Sequence, residues 1–154
     1  KAREILRMFM ADARVKILLD ASIYIPFINK GISYQFLELE IEKPVVYLSA
    51  VVIKELYAGA FDNNSIELLD ELYGVFYSTG RLIVPLASDW QKAGKVIAKL
   101  GRKYGFEEKF LAKIQNDVLI ALSARQIGAI LVTHNAKDFL RIKEFVDFKV
   151  YGEG

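Results

Sequence analysis

At 154 residues the chain is long enough to bury a core without covalent help and is expected to form one domain. It contains no Cys, which removes disulfides, thiolate zinc sites and a cysteine nucleophile, and one His, His134, which leaves no partner for a His-based metal site or a Ser-His-Asp triad. A net charge of +2 is compatible with a nucleic-acid partner without requiring one, while a hydrophobic share of 53% is more than a small core needs and points to an oligomer interface.

Residues 1–13 are expected to form a helical extension. Residues 15–19 (VKILL) form a short apolar run ending in Asp20, consistent with a buried strand, and Ser22 stands where a following helix could be capped. Residues 23–42 read as two short helices broken near Gly31. Pro44 precedes a second strand at 45–48 (VVYL), and Ser49 is placed to cap the helix AVVIKELYAGA. Residues 64–77 carry helical apolar spacing through Ile66, Leu69, Leu72, Tyr73 and Phe76, and a third strand is expected at 82–85 (LIVP). A long helical stretch from 88 to about 104 breaks at Gly105, resumes from 107 to 126, and stops at Gly128. Strands at 129–132 (AILV) and 148–151 (FKVY) flank a short helix at 137–145. Strand and helix alternating at this rhythm, with continuous apolar strands, predict an α/β fold whose sheet is largely parallel and covered on both faces.

No run of apolar residues approaches the roughly 18 needed to span a bilayer, and the basic start leads into acid-containing sequence, so a cytoplasmic protein without a membrane contact is expected. The chain opens on Lys1, which leaves its native start open.

In open parallel sheets, ligands bind beyond the carboxyl ends of the strands, where strand order reverses. Asp20 follows the first strand directly, and Glu55, six residues after Ser49, lies within two turns of the end of the second. Asp117, beside Asn116, lies in a helix among Ile114, Val118, Ile120 and Ala121, where a charge needs a partner. Asp138 follows the fourth strand in THNAKDF. Each acid has a plainer reading: Asp20 as a turn or cap residue, Glu55 as a solvated helix residue, Asp117 as one half of a structural pair, Asp138 or Asn135 as a helix-terminus residue. Together, four carboxylates at one edge would repel one another unless a hard divalent cation neutralised them, and Mg²⁺ or Mn²⁺ with oxygen ligands suits a chain that lacks Cys and has one His. Such an ion polarises a phosphoryl group and makes water a nucleophile without a His base.

Four stretches, LLDAS, LSAVVIKELYAG, QNDVLIALSARQIGAILVT and THNAKDF, resemble the PIN-domain ribonucleases, most closely the VapC-type toxins of prokaryotic toxin–antitoxin pairs, in the family's order and over nearly the whole chain. The resemblance implies a three-layer α/β/α sandwich with a central, mostly parallel sheet of about five strands, in one domain over residues 1–154. It implies Mg²⁺- or Mn²⁺-dependent cleavage of RNA, homodimerisation and, for the toxin branch, a cognate antitoxin. Carried onto this chain, Asp20, Glu55 and Asp117 are catalytic metal ligands, with Asp138 the fourth or Asn135 in its place. Ser22, Asn116 and Thr133 support them. Lys54, Lys109, Lys113, Arg125 and Lys137 are candidate phosphate contacts, and His134 is expected to face solvent or substrate. The resemblance equally fits a PIN nuclease of RNA processing without an antitoxin, or a PIN-fold dimeric binding module that has lost activity. Two other folds that open with a strand ending in Asp fit poorly. Aspartyl-nucleophile phosphatases need an acid where Ser22 stands, and phospho-receivers need an acid pair at the first strand and an acceptor Asp after the third.

Overall fold

The computed structural model describes residues 15–30 and 45–152. The expected extension at 1–13 and the second short helix beyond Gly31 lie outside the described residues. The remaining expectations appear in order: β1 (Lys16–Leu19), α1 (Ala21–Asn29), β2 (Val45–Ser49), α2 (Ala50–Ala58), α3 (Asn63–Ser78), β3 (Leu82–Ile83), α4 (Ala87–Tyr104), α5 (Glu108–Ile127), β4 (Ile130–Thr133), α6 (Ala136–Lys143) and β5 (Lys149–Gly152).

The five strands form one sheet in the order β3-β2-β1-β4-β5, and every pairing is parallel. Ile17, Leu18 and Leu19 of β1 are fully buried, as are Leu131 and Val132 of β4. This is the consequence of a central position: a parallel strand covered on both faces has no solvent side to alternate toward. Helices α1, α2 and α3 pack on one another, α4, α5 and α6 form a second group, and α5 lies against β1 and β4. Right-handed crossovers between parallel strands put the two groups on opposite faces, giving the α/β/α sandwich.

The residues at the boundaries explain where elements stop. β3 covers two residues rather than four because Pro85 has no N–H to continue a ladder, and Val84 before it is exposed. Ser49 caps α2 as expected, its hydroxyl accepting from the Val51 N–H at 3.1 Å. The first helix begins two residues earlier than its sequence suggests, because Asp20, not Ser22, is its N-cap. Gly128 closes α5 in a left-handed conformation at φ 67°, which costs a residue without a side chain little. Gly101 is fixed by a different constraint, since a Cβ there would overlap the ring of Phe106, which folds back from the α4–α5 junction.

Strand order reverses between β1 and β4. From β1 the chain moves outward to β2 and β3, and it returns across the sheet to add β4 and β5 on the other side. The crevice beyond the carboxyl ends of β1 and β4 is therefore the topological switch point, the ordinary ligand position of such sheets.

Candidate metal centre

Asp20 stands at that switch point, and its backbone N–H is bonded to Val132 O at the end of β4. Its carboxylate is buried and held by two hydroxyls. Oδ1 accepts from the Ser22 N–H at 3.1 Å and from Ser22 Oγ at 2.5 Å, and Oδ2 accepts from Thr133 Oγ1 at 2.7 Å. Each hydroxyl accepts in turn, Ser22 Oγ from the His134 N–H and Thr133 Oγ1 from the Asn135 N–H, both at 2.9 Å. The loop after β4 is thereby stitched to the start of α1, and Asp20 has little rotational freedom. Burial pushes its carboxyl above the ordinary range, and the bonds from Ser22 and Thr133 oppose that rise.

Asp117 reaches the same place from the middle of α5. This helix is buried nearly all round between Ile114 and Ala124, which strips water from the carboxylate. Burial first, then the charges of Glu55 and Asp20, push its carboxyl up to about 7; Lys113 pulls the other way. Glu55, on α2, is raised by burial and by the charge of Asp20. Two oxygens, Asp117 Oδ2 and Glu55 Oε1, are buried and have no hydrogen-bond partner. A buried carboxylate oxygen without a partner forfeits its hydration and gains nothing in exchange. These two are where a hard cation fits the residues present.

The remaining positions divide. Asp138 lies in the first turn of α6, and its Oδ2 is paired with Lys113 Nζ at 2.9 Å while its charge reaches Asp117. Asn135 is the N-cap of α6, yet its side chain makes no capping bond. Asn116 accepts a bond from Lys54 Nζ at 2.7 Å, which ties α2 to α5 beside Glu55 and Asp117. Thus Lys54 and Lys113, expected from sequence as phosphate contacts, are both engaged within the protein. Lys109 and Lys137 are exposed. Arg125 lies apart from the acids, lining a pocket with Gly128, Ala129, Asp147 and Lys149 beside the starts of β4 and β5. Eight residues of helix carry it about 12 Å along the α5 axis from Asp117.

Among the described residues, no three His, Asp or Glu side chains come close enough to close directly on one ion. The four-carboxylate shell expected from sequence is not a preformed cage. Asp20, Glu55 and Asp117 sense one another's charge without converging, an arrangement suited to an ion that keeps part of its water and takes only one or two carboxylates directly, as Mg²⁺ does.

The fold and site define an α/β protein with an acidic centre at a parallel-sheet switch point. The comparisons give the family. The model of the PIN domain matches residues 17–144, so the chain belongs to the PIN-domain family. Among curated proteins it is similar to Ribonuclease VapC1 of Haemophilus influenzae strain R2866, 31% identical over 104 residues covering 63% of this chain and 68% of that protein. It is also similar to Ribonuclease VapC2 of Rickettsia felis, 30% identical over 131 residues covering 84% and 93%. Among solved structures, VapBC2 from Rickettsia felis bound to a promoter DNA fragment matches with a TM-score of 0.64 at 24% identity, over 91% of this chain and all of that one. FitAB bound to a DNA fragment matches with a TM-score of 0.59 at 20% identity, over 88% and 94%. At those identities the structural likeness speaks for the fold.

Proposed function

We propose that this chain is a divalent-metal-dependent endoribonuclease of the VapC type, hydrolysing RNA phosphodiester bonds at the centre formed by Asp20, Glu55 and Asp117. The observation that carries the reading is the pair of unpartnered buried oxygens, Asp117 Oδ2 and Glu55 Oε1, beside a carboxylate already fixed at the switch point. A hard cation held there, Mg²⁺ or Mn²⁺, would polarise a phosphoryl oxygen and make a water acidic enough to attack at neutral pH.

The protein's own groups divide the rest of the work. Asp20 and Asp117 hold the ion. Thr133 and Ser22 lock the Asp20 carboxylate in one orientation, so no rotamer entropy is lost when it is used. Glu55, with an oxygen free to accept a hydrogen bond, orients the attacking water. Lys109 and Lys137, exposed on α5 and α6, are free to contact phosphates of a bound RNA.

Its similarity to ribonucleases VapC1 and VapC2 supports a ribonuclease toxin, and the VapBC complexes among the structural neighbours support a cognate antitoxin as partner. A homodimer is supported by apolar surface along α3, where Ile66, Tyr73 and Tyr77 are exposed and the two tyrosine rings stack at 5.6 Å. No helix among the described residues is long and apolar enough to cross a membrane.

The test is cleavage of a mixed set of RNAs by purified protein with Mn²⁺, Mg²⁺ or EDTA, beside Asp20→Asn and Asp117→Asn variants. Cleavage that needs the metal and is lost in both variants is the expected result. Full activity in Asp117→Asn, or cleavage undiminished in EDTA, would overturn the assignment. Absence of both cleavage and Mn²⁺ binding in the wild type would favour a PIN-fold binding module.

A further inference from the structure

Among the described residues, Lys113 is the cation whose charge acts on Asp117. It stands one helical turn before Asp117 on α5, hence on the same face. Its Nζ reaches out of that helix to Asp138 on α6 at 2.9 Å, and the Lys113 side chain is 55% exposed while that of Asp138 is 16% exposed. The ammonium also acts on Glu55 and feels the charge of Asp20, so its field spans all four carboxylates. Asp138, the acid on α6, is thereby occupied, whereas Asp117 Oδ2 and Glu55 Oε1 are left without partners.

We propose that Lys113 is a built-in counter-ion that withholds Asp138 from the metal centre and lowers the centre's affinity for a divalent cation. The inference rests on the metal-centre reading above and adds what sets the strength of that centre. With four carboxylates and no cation the site would carry four negative charges in a small volume. The Lys113 ammonium offsets one of them at the Asp138 side and leaves Asp20 and Asp117 to hold the ion, with Glu55 beside its water. Because its side chain is largely exposed and its Nζ is bonded to Asp138, it lowers the repulsion in the metal-free protein without becoming a partner of the buried oxygens of Asp117 and Glu55.

The experiment is a titration of the metal-free protein with Mn²⁺ alone, in the absence of RNA, followed by calorimetry. It compares the wild type, Lys113→Met, Lys113→Gln, Lys113→Arg and the double variant Lys113→Met with Asp138→Asn. Both neutral variants should bind Mn²⁺ about tenfold tighter or more, since a unit positive charge has left the field of the ion. Lys113→Arg should stay near the wild type, and the added Asp138→Asn should cancel the gain. Thermal melts in EDTA confirm that each variant is folded, and two neutral replacements guard against one failing to fold.

Unchanged or weaker Mn²⁺ binding in both neutral variants, with the wild type binding, overturns the counter-ion role and leaves the metal centre standing. If those variants instead lose RNA retention on a filter at unchanged Mn²⁺ affinity, Lys113 is a phosphate contact and the proposal is again wrong. If neither the wild type nor any variant binds Mn²⁺, the metal-centre reading falls first and takes this one with it. A wild type that does not bind beside a Lys113→Met variant that does would support the proposal.

Discussion

Replacing Asp117 by Asn should stabilise the metal-free protein, and the size of the effect follows from the burial of this carboxylate. Its ordinary value of 3.8 is raised to about 7 by burial and by the neighbouring charges of Glu55 and Asp20. At 1.36 kcal/mol per pH unit, keeping it ionised in the folded state costs on the order of 4 kcal/mol. The sign is that of a raised acid: stability present below about pH 4 is lost progressively as the pH rises through about 7, and above that the penalty is constant. The new carboxamide keeps the shape and removes the charge, but it buries polar groups that also need partners, at a cost of about 1–2 kcal/mol. The net gain at pH 8 should be roughly 2–3 kcal/mol, or about 4–12 °C in Tm for a domain of this size. At pH 5, where most of the wild-type penalty is already relieved by protonation, the gain should vanish or reverse. Thermal and urea unfolding in EDTA at the two pH values, with the variant beside the wild type, measures it. Equal or lower stability of the variant at pH 8 would show that Asp117 is compensated in a way the unpartnered Oδ2 does not reveal, and the argument for a cation at this position would lose its energetic basis.

Asp20→Asn should gain clearly less than Asp117→Asn, because burial raises its carboxyl too but the carboxylate accepts three hydrogen bonds, two from Ser22 and one from Thr133. A carboxamide nitrogen facing a hydroxyl or an N–H breaks at least one of them, at a cost of about 1–2 kcal/mol that offsets the relief of the buried charge, and a gain in EDTA as large as that of Asp117→Asn by urea unfolding would refute the assignment. Gly152→Ala should disturb the site from outside it. A Cβ at 152 would lie 2.2 Å from the backbone oxygen of Thr133 and 2.9 Å from its Cγ2, so β5 must move away from β4. Destabilisation of about 1–3 kcal/mol together with weakened Mn²⁺ binding is expected, and an unchanged Tm would mean that the edge strand shifts freely.

The parts of the fold governed by local chemistry were legible in the sequence. The apolar runs VKILL and AILV read as buried strands, Ser49 was placed to cap a helix, and Gly128 marked the end of α5, and each appears so. Boundaries failed where a side chain had two uses. Asp20, read chiefly as a site residue, also caps α1 and so moves the helix start, because one carboxylate has enough lone pairs for both tasks. The candidate site was legible as a set of acids but not as a set of contacts. Lys54 and Asn116 are separated by 62 positions, and no pattern within either helix says that they meet. Lys113 could be read equally as solvated, as a phosphate contact or as an ion-pair partner until α6 was placed beside α5. Arg125 is near Asp117 in sequence but not in space, because eight residues of helix carry it about 12 Å toward the starts of β4 and β5.

The three central acids are held in two different ways, and the difference bears on how the centre works. Asp20 is satisfied before any ligand arrives, through hydroxyls that both donate to it and accept from the next loop, so its position is set by the fold. Asp117 and Glu55 each keep a buried oxygen without a partner, and burial, with the charge of Asp20 on both and of Glu55 on Asp117, raises both toward protonation. Local rules of satisfaction are therefore obeyed at Asp20 and violated at the other two, within one small volume of an otherwise well-packed α/β domain. A fold accepts that cost where function requires it. On the proposed reading, a divalent cation at this centre would offset the cost of burying those two oxygens, with Asp20, already fixed by its hydroxyls, as the carboxylate whose orientation need not change.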